Sequence, residues 1–200
     1  MARILILLAH PVLEKSRVHR RLLQRVPKHP DITLHDLYEE YPAYDIDVDR
    51  EQALLLAHDV VAMQHPFYWY STPPLLKQWQ DLVLEHGWAY GANGRALRGK
   101  HMLNVISTGG VRTSYQRDGF HGFTVRELLA PIAQTARLCG MTYLPPWVVF
   151  GSHRLDEADI DGEAERYAAM LQALLQSDLA SLAEHETLND ALAAPAGVQS

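Results

Sequence analysis

The chain has 200 residues, 48% of them hydrophobic and 21% charged, with a formal net charge of -6. That length suits one domain with a sizeable core, and the balance of residue types disfavours global disorder. The negative charge argues against broad nucleic-acid binding, and the single cysteine, Cys139, rules out an intrachain disulfide and fits a reducing cytosol.

The opening "MARILILLAH" has one basic residue and a short apolar run without a small-residue cleavage region. It reads as a buried strand and not as a signal peptide. No apolar stretch approaches the ~20 residues of a spanning helix, so a cytoplasmic protein is expected. Residues 3–9 are continuously apolar after the first, as in a central parallel strand covered on both faces. The loop "HPVLEKS" leads to an amphipathic helix over about 17–25. "DITLHDL" (31–37) alternates as a second strand. A Tyr/Pro/Asp-rich connection follows, then a short helix around 50–57 with Asp47 or Asp49 as its cap.

"DVVAMQH" (59–65) is the third strand, and 75–84 the next helix. Residues 87–99, with four glycines, form a loop. "HMLNVISTGG" gives a fourth strand that runs into a glycine turn, and 124–138 is helical. "MTYLPPWVVF" is a fifth, proline-interrupted strand, and 159–175 a strong amphipathic helix. Strand followed by helix, five times over, predicts an α/β domain over residues 1–176. Five strands favour a flavodoxin-like, doubly wound parallel sheet of order 2-1-3-4-5 with helices on both faces. Residues 177–200 are expected to form a tail, helical and then frayed.

In such sheets ligands collect outside the carboxyl ends of the strands. Three segments fall there: "HPVLEKSR", "HPFYWYSTPP" and "STGGVRTSY". In the first, Ser16 caps a helix whose free N–H groups, with Arg17, Val18 and His19 in its first turn, favour an anion, and His10, Arg17 and His19 are further donors. The second offers four consecutive rings, Phe67, Tyr68, Trp69 and Tyr70. The third adds Ser107, Thr108, Gly109 and Gly110, where missing side chains let backbone approach a planar ring. Phosphate at one loop and a heteroaromatic ring between the other two describe a flavin mononucleotide. "GRALRGKH" (94–101) misses a P-loop by one residue and precedes a strand instead of following one. The eleven histidines show no zinc-ligand spacing, and no metal site is expected.

The segments "AHP", "QHPFYWYSTPPLLKQWQDLVLEHGWAYG", "STGG", "CGMTYLPPWVVFG" and "DLYEEYPAYDIDVDREQALL" together resemble the flavodoxin-like NAD(P)H:quinone oxidoreductases. Within them the likeness points to the bacterial branch of ancillary proteins of glutathione-gated potassium-efflux systems. The resemblance implies FMN, with FAD the lesser alternative, and NAD(P)H as co-substrate. A hydride would pass from NAD(P)H through the flavin to a quinone by ping-pong exchange. It puts His10 and residues 16–19 around the flavin phosphate and ribityl chain, and residues 67–70 and 107–110 around the ring system. Tyr68 stands where relatives commonly carry glutamine. Tyr115 and His121, in "GGVRTSYQRDGFHG", correspond to a Tyr/His pair beside the flavin in animal quinone reductases. A homodimer with the site at the subunit interface is implied, and much of the aromatic loop and "WAYG" (88–91) is expected to be buried there, since a monomer seldom exposes so large an apolar patch. A second reading is a regulatory subunit of a potassium/proton antiporter, peripheral on the inner membrane face, with redox turnover secondary. A one-electron carrier is disfavoured, because that role brings a more acidic surface and a Ser/Thr-rich phosphate loop.

Overall fold

Ile4–Leu8 form β1, and all five side chains are buried. This follows from their place at the centre of a parallel sheet, where both faces are covered and no residue meets water. The computed structural model describes residues 2–176, 179–182 and 185–191; the end of the tail expected to fray lies outside them.

β1 pairs in parallel with β2 (Ile32–Asp36) on one side and with β3 (Val60–Pro66) on the other. β4 (His101–Ser107) continues the sheet beside β3. The fifth position is shared by two short strands, β5 (Thr142–Tyr143) and β6 (Trp147–Val149), both parallel to β4. Leu144, Pro145 and Pro146 separate them, since proline has no N–H for the ladder. The expected 2-1-3-4-5 order is thus the observed one, with its last strand divided.

Residue parity along the strands creates two cores. Leu5, Leu7, Val61, Met63, Met102 and Ile106 face one side. There they meet α3 (Val48–Ala57), α4 (Pro74–Val83), α5 (Val125–Leu128) and α6 (Ala130–Leu138). Ile4, Ile6, Val60, Ala62, Leu103 and Val105 face α1 (Arg17–Gln24) and α7 (Glu157–Gln176) on the other side. Outside that second core, Arg17 and Arg21 of α1 pair with Glu157 of α7 at 2.8 and 3.1 Å, and Arg21 also pairs with Asp161.

Local signals set most helix starts. Ser16 Oγ accepts from the His19 N–H, and Asp47, one of the two expected caps, accepts from the Arg50 N–H. The connection after β2 contains an unexpected one-turn helix, α2 (Leu37–Glu40), capped by Asp36. The expected 124–138 helix is broken at Leu129 into α5, which opens with a Thr124/Glu127 capping box, and α6. Beyond α7, Leu179, Leu182 and Leu188 are buried in the second core. The last described helix, α8 (Leu188–Ala191), brings Asn189 against β6. Its side chain accepts from the Val148 N–H at 2.9 Å and donates to the Val148 carbonyl at 3.2 Å. The free edge of the sheet is thereby covered by one amide. Among the described residues no helix is long and apolar enough to cross a membrane.

Candidate active site

The carboxyl ends of β1, β3, β4 and β6 open onto two adjoining clefts that share Phe67 and Gly109. The inner cleft, about 470 Å³, is lined by His10, the start of α1, Phe67, Tyr68 and Ser107. The outer cleft, about 560 Å³, lies among Trp69, Tyr70, Gly110, Tyr115, Phe120 and His121. The three expected loops therefore do converge.

At the inner end, α1 points its first turn into the cleft. Helix geometry leaves the N–H groups of Arg17 and Val18 without an intrahelical acceptor, while Ser16 satisfies that of His19. These groups and the helix dipole favour an anion there. The side chains divide differently from expectation. Arg17 lines the cleft, but its guanidinium is held by Glu157 of α7. His19 is fully buried, with Nε2 2.9 Å from Ser107 Oγ, so its ring lies behind the cleft wall. His10 stays in the cleft; its Nδ1 accepts from the Val12 N–H at 3.2 Å, leaving Nε2–H a donor without a partner among the described residues. Burial lowers its pKa and keeps the ring neutral.

The aromatic loop is a strained turn. Trp69 and Tyr70 both adopt left-handed backbone, with φ of 50° and 60°, and Tyr68 bridges to Ser71. Such conformations are costly for bulky residues and persist where the surroundings hold them. Here the turn aims Tyr70 back, with its hydroxyl 3.2 Å from His121 Nδ1. His121 stacks on Tyr115 at 4.3 Å between ring centroids. The Tyr115/His121 pair is thus tied to the second loop as well as the third. Burial raises the Tyr115 pKa, so the phenol keeps its proton. Trp69 and Phe120 are 92% and 90% exposed. In "WAYG", Ala89 is buried in the chain's own core, and Trp88 and Tyr90 pack against it.

The third loop is bare where the clefts meet. A Cβ on Gly110 would lie 3.0 Å from Tyr115 Cε2 and 3.1 Å from His121 Nε2, and one on Gly109 would lie 3.3 Å from His153 Cδ2. Thr108, almost wholly buried, donates from Oγ1 to the Gly110 carbonyl and stiffens the turn. A model of the flavodoxin-like fold family matches residues 2–171.

The chain belongs to the flavodoxin-like fold family. Within that family it is 46% identical over 169 residues to an uncharacterized NAD(P)H oxidoreductase of Bacillus subtilis, covering 84% of this chain and 97% of the relative. It is 43% identical to a glutathione-regulated potassium-efflux system ancillary protein of Klebsiella aerogenes, covering 84% and 94%. Among solved structures, general stress protein 14 of Treponema denticola in complex with FMN superposes with a TM-score of 0.81 at 42% identity. That match covers 86% of this chain and 99% of the other.

The flavodoxin-like arrangement also brings in a fourth loop, after β6. Ser152 and His153 line the inner cleft and Arg154 the outer. Its backbone fastens to the third loop through Gly151 N–H to Gly110 O and Ser152 N–H to Thr108 O, both 2.9 Å. The rule that singled out the other loops, applied to the end of the fifth strand, would have found "GSHR". Lys15, beside the expected Ser16, is a further wall residue.

Proposed function

We propose that the chain is an FMN-dependent NAD(P)H:quinone oxidoreductase working by two-electron, ping-pong exchange. The observation that carries this reading is the junction of the two clefts. A helix start suited to phosphate opens one, rings suited to planar molecules line the other, and side-chain-free backbone at Gly109 and Gly110 joins them. The FMN complex of the Treponema relative and the NAD(P)H oxidoreductase name of the Bacillus relative support it.

When bound, FMN supplies the redox chemistry, taking a hydride from NAD(P)H and passing two electrons on to a quinone. The chain's part is to bind and orient. The N–H groups of Arg17 and Val18, with His10 Nε2–H, would hold the phosphate end. Phe67 and the 107–110 backbone would flank the ring. Tyr115 and His121 stand at the outer cleft as hydrogen-bond donors for negative charge that grows during hydride transfer. Trp69 and Phe120 on the rim, with Phe123 55% exposed, support assembly as a homodimer through this face, since large exposed apolar surface marks interaction sites.

The purified protein should be yellow, release FMN on denaturation, and reduce menadione with NAD(P)H. Changing His10 and Ser16 together to alanine should weaken FMN binding in a folded protein, each lost contact costing ~1.5–3 kcal/mol. Unchanged affinity would remove the first loop from the site. Sedimentation should give a dimer at micromolar concentration; a monomer with full flavin occupancy would refute the assembly.

A second reading, favoured by the 43% identity to a potassium-efflux ancillary protein, is that the same fold acts as a regulatory subunit of an antiporter. Co-purification with an antiporter from the same genome, persisting in variants without turnover, would set it above the enzymatic one.

A further inference from the structure

Four polar side chains run in single file from α7 to the wall of the inner cleft. The Tyr167 hydroxyl lies 2.8 Å from Gln64 Oε1. Gln64 Nε2 lies 3.4 Å from His19 Nδ1, and His19 Nε2 lies 2.9 Å from Ser107 Oγ. Tyr167, Gln64 and His19 are fully buried, whereas Ser107 lines the cleft. The first three touch neither cleft, and the chemistry proposed above makes no use of them.

Such a chain has two possible directions. In one, Tyr167 donates to Gln64 Oε1, the Gln64 amide donates to His19 Nδ1, and His19 Nε2–H donates to Ser107 Oγ. The Ser107 proton is then free for the cleft. In the other, every bond is reversed and Ser107 spends its proton on His19. The buried end decides between them. Gln64 is the hydrogen-bond partner of the Tyr167 hydroxyl among the described residues. In the reversed chain the buried tyrosine O–H would face no acceptor among the described residues, an arrangement folded proteins avoid. His19 must also be neutral, with one ring proton, for either direction to hold. Its burial and the neighbouring imidazoles His10 and His65 keep it so, holding its pKa well below the ordinary histidine value.

We propose that Tyr167, acting through Gln64 and His19, fixes Ser107 as a hydrogen-bond donor to the inner cleft, which therefore recognises an acceptor atom at that point. Tyr167, Gln64 and His19 are positioning residues. Combined with the FMN reading, on which this last step rests, Ser107 meets an acceptor atom of the cofactor and not one of its N–H groups. The relay links a helix on the far side of the core to the polarity of one wall atom.

The test reads the tautomer directly. Full-length, 15N-labelled protein stripped of flavin is examined by long-range proton–nitrogen correlation, with the His19 signals assigned by their loss in His19→Gln. His19 is expected to be neutral with its proton on Nε2 from pH 6 to 8, and to remain so after FMN is added. In Tyr167→Phe, Gln64 is free to turn, and His19 should show both neutral tautomers. FMN titrations give a second measure. Ser107→Ala should weaken binding roughly fivefold to tenfold and Tyr167→Phe by less, with the double variant no weaker than Ser107→Ala alone. His19→Gln, whose amide N–H replaces Nε2–H, should retain most of the affinity. An Nδ1-protonated or charged His19 in the wild type overturns the relay, as do fully additive losses in the double variant. The wild-type tautomer decides the matter even where Tyr167→Phe does not fold. Because it is read without flavin, a wrong tautomer leaves the FMN reading intact, and failure to bind FMN leaves the tautomer result intact.

Discussion

Two buried polar networks occupy opposite faces of the sheet, and they differ in how they end. On the α3/α4 side, the fully buried Glu51 carboxylate accepts from His35 Nε2 at 2.7 Å, Tyr41 at 2.6 Å and Trp79 at 2.8 Å. That network closes on itself. On the α1/α7 side, the Tyr167–Gln64–His19 chain ends at Ser107, which faces the cleft. A closed network has nothing left to offer a ligand, so its value lies in holding β2, α3 and α4 in register. An open one carries an unsatisfied valence to the surface, where a ligand completes it. Disturbing the first should cost stability, and disturbing the second should cost binding.

The largest expected effect breaks the closed network. Glu51→Ala leaves three buried donors without their acceptor and should lower unfolding free energy by ~3–5 kcal/mol, a large part of what a domain this size has. Denaturant titration of flavin-free protein measures it. Where the variant still folds, its FMN affinity should be near wild type; a larger loss in binding than in stability would erase the distinction between the networks.

Acid should separate the buried histidines from the closed network on the pH axis. Burial pushes the His65 pKa down to about 4 and that of His19 well below the ordinary value. Unfolded histidines take up protons near pH ~6.5, so the unfolded state binds more protons than the folded one below that value, and stability falls as pH drops from 6.5 toward 4. Each such group contributes a slope of up to about 1.4 kcal/mol per pH unit. Glu51 behaves otherwise. Burial alone would raise its pKa, but the bonds from His35, Tyr41 and Trp79 outweigh it and the net shift is downward. Its contribution is present above its unfolded pKa and is lost only as pH falls through the lower folded value. Unfolding free energies at pH 7, 6 and 5 should therefore decline through the histidines first. A flat profile over that interval would contradict their neutral burial.

On the ligand side, Tyr115→Phe and His121→Ala should each slow flavin reduction by NAD(P)H in stopped-flow measurements, by at most ~10²-fold, with non-additive losses if the two share one role. FMN binding and unfolding free energy should barely change. Wild-type rates in both variants would leave these rings as lining. The smallest effect lies away from both networks. Asn189→Ala removes two hydrogen bonds from the β6 edge and should cost on the order of 1 kcal/mol in stability without altering FMN affinity.

Much of this molecule was legible in its sequence because the signals are local. The unbroken run 4–8 declared a central strand, Ser16 and Asp47 announced helix starts, and Gly109 and Gly110 marked a loop that needs room. The four-residue α2 and the break at Leu129 escaped, since one helical turn leaves too short a pattern to show a period. The fourth loop escaped because "GSHR" is unremarkable in composition, although it too follows a strand end and lies beside the third loop.

Sequence by itself determined the strand–helix alternation, hence the sheet order, and the convergence of strand ends on one rim. These follow from periodicity and chain connectivity, which leave few topologies open. Only the tertiary structure decided which side chains face the cleft. The Arg17 guanidinium is drawn to Glu157 on α7, and His19 turns inward because Ser107 and Gln64 satisfy its ring. Partners in such pairs lie as far as 140 residues apart. Rotamers chosen by distant neighbours leave no trace in local spacing, and the packed interior settles them.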